Sequence, residues 1–184
     1  MAAGAAGAKQ MPPQQAKPAP KEEVHNVLSN NPQNEITMLK TAKKAGLKGP
    51  ELAQFMAQTK HESWDFERLK EKPQPGVKDY YNKKYDIRFS PKVAKILGNK
   101  RPGDGERYHG RGFIQLTGKA NYKRYQDMAN KLGLNLDLIN NPDSLDNDIN
   151  VSALVAALYI KDRVPAGTKP TDHPGFFYSA KKAV

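Results

Sequence analysis

Glu62 and Glu71 stand nine positions apart in the stretch His61-Glu62-Ser63-Trp64-Asp65-Phe66-Glu67-Arg68-Leu69-Lys70-Glu71. One protonated and one ionised carboxyl facing each other is the equipment for acid/base hydrolysis of a glycosidic bond. At about 100° per residue an unbroken helix would set the two on opposite faces, so they share a cleft only if the chain turns between them. Upstream, Pro50 suits a first helical position, and Leu52, Phe55, Met56 and Thr59 form an apolar stripe at three- and four-residue steps. Glu62 falls at the edge of that stripe, near the negative end of the helix. A carboxyl there costs extra to ionise, which suits a general acid. Glu71 precedes Lys72-Pro73-Gln74-Pro75-Gly76, where a helix must break, among lysines that favour its ionised form.

A second candidate stretch runs from Gly103 to Tyr122 and carries five glycines, which let the backbone bend sharply or approach a ligand closely. Within it Phe113-Ile114-Gln115-Leu116-Thr117 alternates apolar and polar residues, the pattern of a short extended segment. Gln115 and Thr117 would then point the same way. Their amide and hydroxyl form a row of neutral donors and acceptors, suited to sugar hydroxyls, N-acetyl groups or a positioned water. The alternative is a turn-rich loop whose Gln and Thr satisfy buried backbone.

The two stretches together resemble glycoside hydrolase family 19. The residues that carry the resemblance are Phe55-Met56-Ala57-Gln58-Thr59-Lys60-His61-Glu62-Ser63, then Gly103-Asp104-Gly105, then Tyr108-His109-Gly110-Arg111-Gly112-Phe113-Ile114-Gln115-Leu116-Thr117-Gly118. Asn121-Tyr122 and the Asn141-Pro142-Asp143 turn extend it over roughly residues 35–160. More narrowly, the pattern is similar to the branch of peptidoglycan-cleaving endolysins and virion lysozymes of tailed phages, relatives of plant-type chitinases. The resemblance implies a mainly α, lysozyme-like bilobal domain with a central cleft and a metal-free, inverting mechanism without cofactor. It makes Glu62 the acid and Glu71 the base, with Thr117 helping to hold the attacking water. Gln115, Tyr108, Arg111, Asn121 and Tyr122 become substrate-binding or cleft-shaping residues. His61 is expected beside them, packing to orient the helix end.

Two departures accompany the resemblance. Many relatives have two glycines after the His-Glu-Ser triplet, where this chain has Trp64-Asp65, so the turn toward Glu71 must be built differently. Relatives also continue, about where this chain reaches Val184, into an Asn-Gly segment that completes the cleft. The closing wall is then absent, supplied by another chain, or cut off.

Composition sets the surroundings. The chain has 184 residues, of which 38% are apolar, enough for one substantial core. Residues 1–21, an Ala/Gly run followed by a Pro/Gln/Lys tract, have too little apolar surface to order themselves and read as a tail or tether. Residues 22–184 read as the catalytic domain. The tail lacks the apolar core of a secretory signal, and the run from Val151 to Ile160 is too short to span a bilayer. Without cysteine there is no disulfide, thiol nucleophile or thiolate metal site. His61 and His109 lack the spacing or acidic company of a metal centre, so none is expected.

The net charge of +11 calls for an anionic partner. Nucleic acid is one reading, through Lys40, Lys43, Lys44 and Lys48 or through Lys119, Lys123, Arg124 and Lys131. These follow ordinary helical spacing on polar faces, and nucleic acid is not favoured. An anionic bacterial envelope and its peptidoglycan glycan strands give a basic enzyme the same attraction. The expected setting is a phage virion, its tail or baseplate, or a host cell with action in the periplasm or cell wall; the N-terminal tail would reach other virion proteins. The rival readings are a chitinase, and a non-catalytic virion or wall-binding module.

The remaining elements read as helical. Ile36, Leu39, Ala42 and Lys43 form an amphipathic helix closed by Gly46; Ser90-Pro91 opens another that stops at Gly98. Tyr122, Tyr125, Ala129 and Leu132 share one side of a helix ending at Gly133. Residues 151–160 are apolar nearly all round and predict a buried central helix. Tyr80, Tyr81, Tyr85 and Phe89 are read as local core or as sugar-stacking platforms.

Overall fold

A computed structural model describes residues 29–163. The chain is mainly α: α1 (Pro32–Lys44), α2 (Gly49–Glu62), α3 (Tyr80–Tyr85), α4 (Pro91–Leu97), α5 (Asp104–Arg107), α6 (Lys119–Lys131), α7 (Ser144–Asn147) and α8 (Ile149–Arg163). Among the described residues the only β pairing is a pair of isolated antiparallel bridges, Lys70 with Arg111 and Arg111 with Leu116. The tail at residues 1–21 and any segment beyond residue 163 lie outside the described residues.

The expected central helix is α8. Ser152, Ala153, Val155, Ala156, Ala157, Leu158 and Ile160 are all buried, so the helix packs on nearly every side, as its largely apolar sequence from Val151 to Ile160 requires. On one side Ala153, Ala156 and Ile160 meet Met38 and Ala42 of α1, Phe55 of α2, and Phe66 and Phe113 from loops. On the other, Val155 and Leu158 meet Tyr122, Tyr125 and Ala129 of α6 with Tyr108, Leu138 and Leu145. A third cluster joins Tyr81 and Tyr85 of α3 to Leu97 of α4.

The junction of α4 with α6 needs two glycines. Gly98 ends α4 with φ +71°, and a Cβ there would lie 2.6 Å from the Ala120 Cβ; one on Gly118, at φ +91°, would lie 2.7 Å from Leu97. The two helix ends meet backbone to backbone.

Two expectations change. Leu132 is exposed, because α6 ends at Lys131 and the chain has already turned. The segment Phe113–Thr117 is not extended but is the turn-rich loop that stood as the alternative. Residues 112–115 form a tight turn closed by the bridge between Arg111 and Leu116, with Gln115 at φ +51°. Alternation over five residues is too short a pattern to outweigh the glycines beside it.

Candidate active site

Glu62 is the last residue of α2 and Glu71 lies on the loop beyond it, and both line one cleft of about 570 Å³. Between them the chain reverses through Trp64, Asp65 and Phe66, whose φ values are +51°, +62° and +63°. Residues with a Cβ rarely adopt this left-handed conformation, so the surroundings must hold it. The Asp65 amide donates to the Lys60 carbonyl at 2.8 Å and the Arg68 amide to the Ser63 carbonyl at 2.7 Å. Ser63 donates its hydroxyl to the Thr59 carbonyl at 2.6 Å and accepts the Phe66 amide at 3.1 Å. The Asp65 carboxylate accepts the Asn30 amide and pairs with Lys60, and Asn34 of α1 donates to the Phe66 carbonyl. Trp64 and Asp65, where the resembled family pattern has two glycines, open this turn.

After the turn, Leu69 to Glu71 runs antiparallel to Gly110 to Gly112. The Glu71 amide donates to the Gly110 carbonyl at 2.9 Å, and the Gly110 amide returns a hydrogen bond to Glu71 Oε2 at 3.1 Å. Lys84 Nζ donates to Glu71 Oε1 at 2.8 Å, and the Tyr85 hydroxyl reaches both carboxylate oxygens at 3.0 and 3.2 Å. Tyr81 donates its hydroxyl to the Glu71 carbonyl. Burial pushes the Tyr85 phenol well above its ordinary range, so it remains a donor. Burial works against the charge of Lys84, but hydrogen bonds to Glu71, Tyr85 and Tyr80 outweigh it and hold the ammonium above the usual lysine range.

Gln115, Thr117 and Asn121 line the same cleft. The turn at residues 112–115, and not a strand, brings Gln115 to the cleft; its Nε2 donates back to the Gly112 carbonyl at 3.0 Å. Thr117 donates its hydroxyl to the Gln115 carbonyl at 2.9 Å, which leaves the Thr117 oxygen as an acceptor. Asn121 donates to the Thr117 carbonyl at 2.8 Å.

Four expected substrate-binding residues do not line the cleft. His61 is exposed on the last turn of α2. Tyr108 and Tyr122 are buried and pack edge to face, because both rings fill the core beside α8. Arg111, also buried, pairs with Asp143 at 2.7 Å and Asp146 at 3.0 Å, and donates to the Arg107 carbonyl and the Tyr122 hydroxyl. Through its bridges to Lys70 and Leu116 it braces the wall from behind. His109 stacks on Tyr81 with ring centroids 3.9 Å apart, and its Nδ1 lies 2.6 Å from the Glu106 carbonyl, which makes Nδ1 the protonated nitrogen. Burial lowers its pKa to about 4, so the ring is neutral.

Lys84, Ile96 and Arg163 line the cleft without having been singled out as binding residues in the sequence, and Tyr85, read there as local core or a sugar-stacking platform, lines it with them. The available signal was the step from Tyr81 to Lys84 and Tyr85, which puts all three on one face of a helix. Among the described residues no group of three or more His, Cys, Asp or Glu side chains could hold a metal ion. No helix among them is long and apolar enough to cross a membrane.

A mainly helical domain with two glutamates lining one cleft has the form of a glycoside hydrolase. The family model for chitinase class I matches residues 23–176, and the chain belongs to glycoside hydrolase family 19. A family 19 domain-containing protein of Haemophilus influenzae is 32% identical over 127 residues, 59% of this chain and 60% of that protein. An acidic endochitinase of Petunia hybrida is 44% identical over 69 residues, 38% of this chain and 24% of that one. The chain thus spans at most 60% of the length of these relatives. Chitinase C from Streptomyces griseus superposes with a TM-score of 0.49 at 23% identity, over 80% of this chain and 65% of that one.

Proposed function

We propose that the chain hydrolyses the β-1,4 glycosidic bonds of peptidoglycan by an inverting acid/base mechanism, in the manner of a phage endolysin or virion lysozyme. The observation that carries the reading is the shared cleft of Glu62 and Glu71, with Thr117 beside them. Glu62 donates its proton to the leaving glycosidic oxygen as the bond from the anomeric carbon to that oxygen breaks. A water held by Thr117 and Glu71 attacks the same carbon from the opposite face and gives its proton to Glu71. Such a mechanism needs the carboxyls about 6.5–9.5 Å apart to admit the water. Thr117, whose own hydrogen is engaged by the Gln115 carbonyl, accepts one hydrogen of the water while Glu71 accepts the other. Gln115 and Asn121 supply neutral groups for sugar hydroxyls and N-acetyl groups.

The preference for peptidoglycan rests on the net charge of +11, which favours an anionic wall over neutral chitin. The same attraction suits action at a bacterial envelope. Chitin is the second reading, and the 44% identity to a plant endochitinase favours it.

Digestion of purified peptidoglycan and of chitin, with mass analysis of the fragments, separates the two. Release of glycan fragments from peptidoglycan alone supports the proposal; release from chitin alone overturns the substrate assignment. Wall binding without any cleavage would make the chain a binding module. Glu62→Gln, which keeps the shape and removes the acid, is expected to lower turnover by at least ~10²-fold in a folded protein. Glu71→Gln should cripple turnover too, and Thr117→Ala should reduce it less, because a hydroxyl only positions the water that a carboxylate deprotonates.

A further inference from the structure

We infer that Lys84 and Tyr85 are positioning residues that hold the Glu71 carboxylate in the single orientation from which it can take a proton from the cleft. The inference rests on the reading of Glu71 as the base. An ionised carboxylate offers about four acceptor directions. Lys84 occupies one on Oε1, the Gly110 amide occupies one on Oε2, and the Tyr85 hydroxyl lies between the two oxygens. One direction is left. Since Glu71 lines the cleft, that direction is the one available to a water inside it.

The donors are themselves fixed. Lys84 Nζ also donates to the Tyr80 hydroxyl at 3.1 Å and lies 5.2 and 4.9 Å from the centroids of the Tyr80 and Tyr85 rings. A lysine bound on three sides has given up much of its rotamer freedom, and a half-exposed ion pair returns little stability for that loss. Tyr85 is buried, and its backbone carbonyl accepts from Asn99 at 3.0 Å. Tyr81, on the same face of α3, holds the Glu71 carbonyl and stacks on His109, the neighbour of Gly110. The face of α3 formed by Tyr81, Lys84 and Tyr85 thus holds Glu71 by main chain and side chain together.

The test compares kcat and KM of Lys84→Met, Lys84→Arg and Tyr85→Phe on soluble glycan strands, each also in a Glu71→Gln background. Lys84→Met is expected to lower kcat on the order of 10-fold with KM nearly unchanged, since a misdirected base slows the step without weakening binding. Lys84→Arg should recover most of that loss, Tyr85→Phe should lose less than Lys84→Met, and Lys84→Met should add no further loss once Glu71 is Gln. A raised KM at unchanged kcat, or the full loss persisting in the Glu71→Gln background, would overturn the inference. Crystal structures of Lys84→Met give an answer independent of turnover: the Glu71 carboxylate should leave its present orientation, and an unmoved carboxylate refutes the positioning role. A wild-type protein that cleaves no glycan would instead refute the proposed function, with the crystallographic result still deciding this one.

Discussion

The Gly110 amide donates to Glu71 Oε2 at 3.1 Å, joining two cleft-lining residues 39 positions apart. A Cβ on Gly110 would lie 3.1 Å from that same oxygen, 3.3 Å from the Gln115 Oε1 and 3.3 Å from the Glu71 Cβ. Gly110→Ala therefore presses on the base and on Gln115 together. Both side chains can yield by a few tenths of an ångström, so the fold should survive. Turnover is expected to fall roughly 10-fold or more, because small misplacements of reacting groups are costly. Steady-state kinetics beside a thermal melt checks this; a normal kcat in the variant would show that the base tolerates displacement.

The turn between the two glutamates can be tested at Asp65. Its backbone is left-handed, and its carboxylate accepts the Asn30 amide and pairs with Lys60. Asp65→Ala removes those partners and leaves a residue that resists the conformation, whereas Asn tolerates it and keeps an acceptor. Denaturant midpoints should fall for Asp65→Ala and fall less for Asp65→Asn. Equal midpoints for all three proteins would mean the turn is held by Ser63 and the backbone alone.

The sequence shows Glu62 plainly, since the apolar stripe of α2 and the helix end fix its place. The approach of Glu71 is less visible. It depends on left-handed backbone at Trp64, Asp65 and Phe66, none of which advertises that conformation as glycine would. The central helix is legible because residues 151–160 are apolar on all faces, and α4 because a proline and a glycine mark its ends. Tyr108, Arg111 and Tyr122 look like binding residues in a motif beside a cleft. Their burial behind the wall follows from packing against residues 138–158, and no local pattern reports that. Lys84 escapes notice because its partner Glu71 lies 13 positions away, across an irregular loop.

Asp146 and His109 give the fold opposing responses to pH. Burial raises the Asp146 carboxyl to about 6 against the pull of Arg111 and Lys70, and burial lowers His109 to about 4. Between the ordinary carboxylate range and about 6, folded Asp146 keeps a proton that the unfolded chain has lost. Its contribution is greatest in acid and disappears as pH rises toward about 6. His109 acts in reverse: its contribution is complete above the ordinary imidazole range and is lost as pH falls toward about 4. The two act in opposite senses across this window. Asp146→Asn removes one of them, so its stability relative to wild type should grow as pH rises from about 4 to 6. Denaturant unfolding at stepped pH measures the gap, and a gap that stays constant would remove Asp146 from the account.

The positive charge has its own test. If the excess of 30 Lys and Arg over 19 Asp and Glu holds the protein on an anionic wall, added salt should weaken binding to intact sacculi and slow their digestion. At physiological ionic strength attraction is already screened beyond about 8 Å, so raising salt further acts on the closest contacts. Cleavage of a short soluble glycan depends on the cleft and should change far less. Removing residues 1–21 should likewise leave soluble turnover intact, since every residue assigned to the cleft lies between Thr59 and Arg163. Equal salt inhibition on both substrates would place the sensitive charges in the cleft itself, and loss of soluble turnover on truncation would make residues 1–21 part of the catalytic domain.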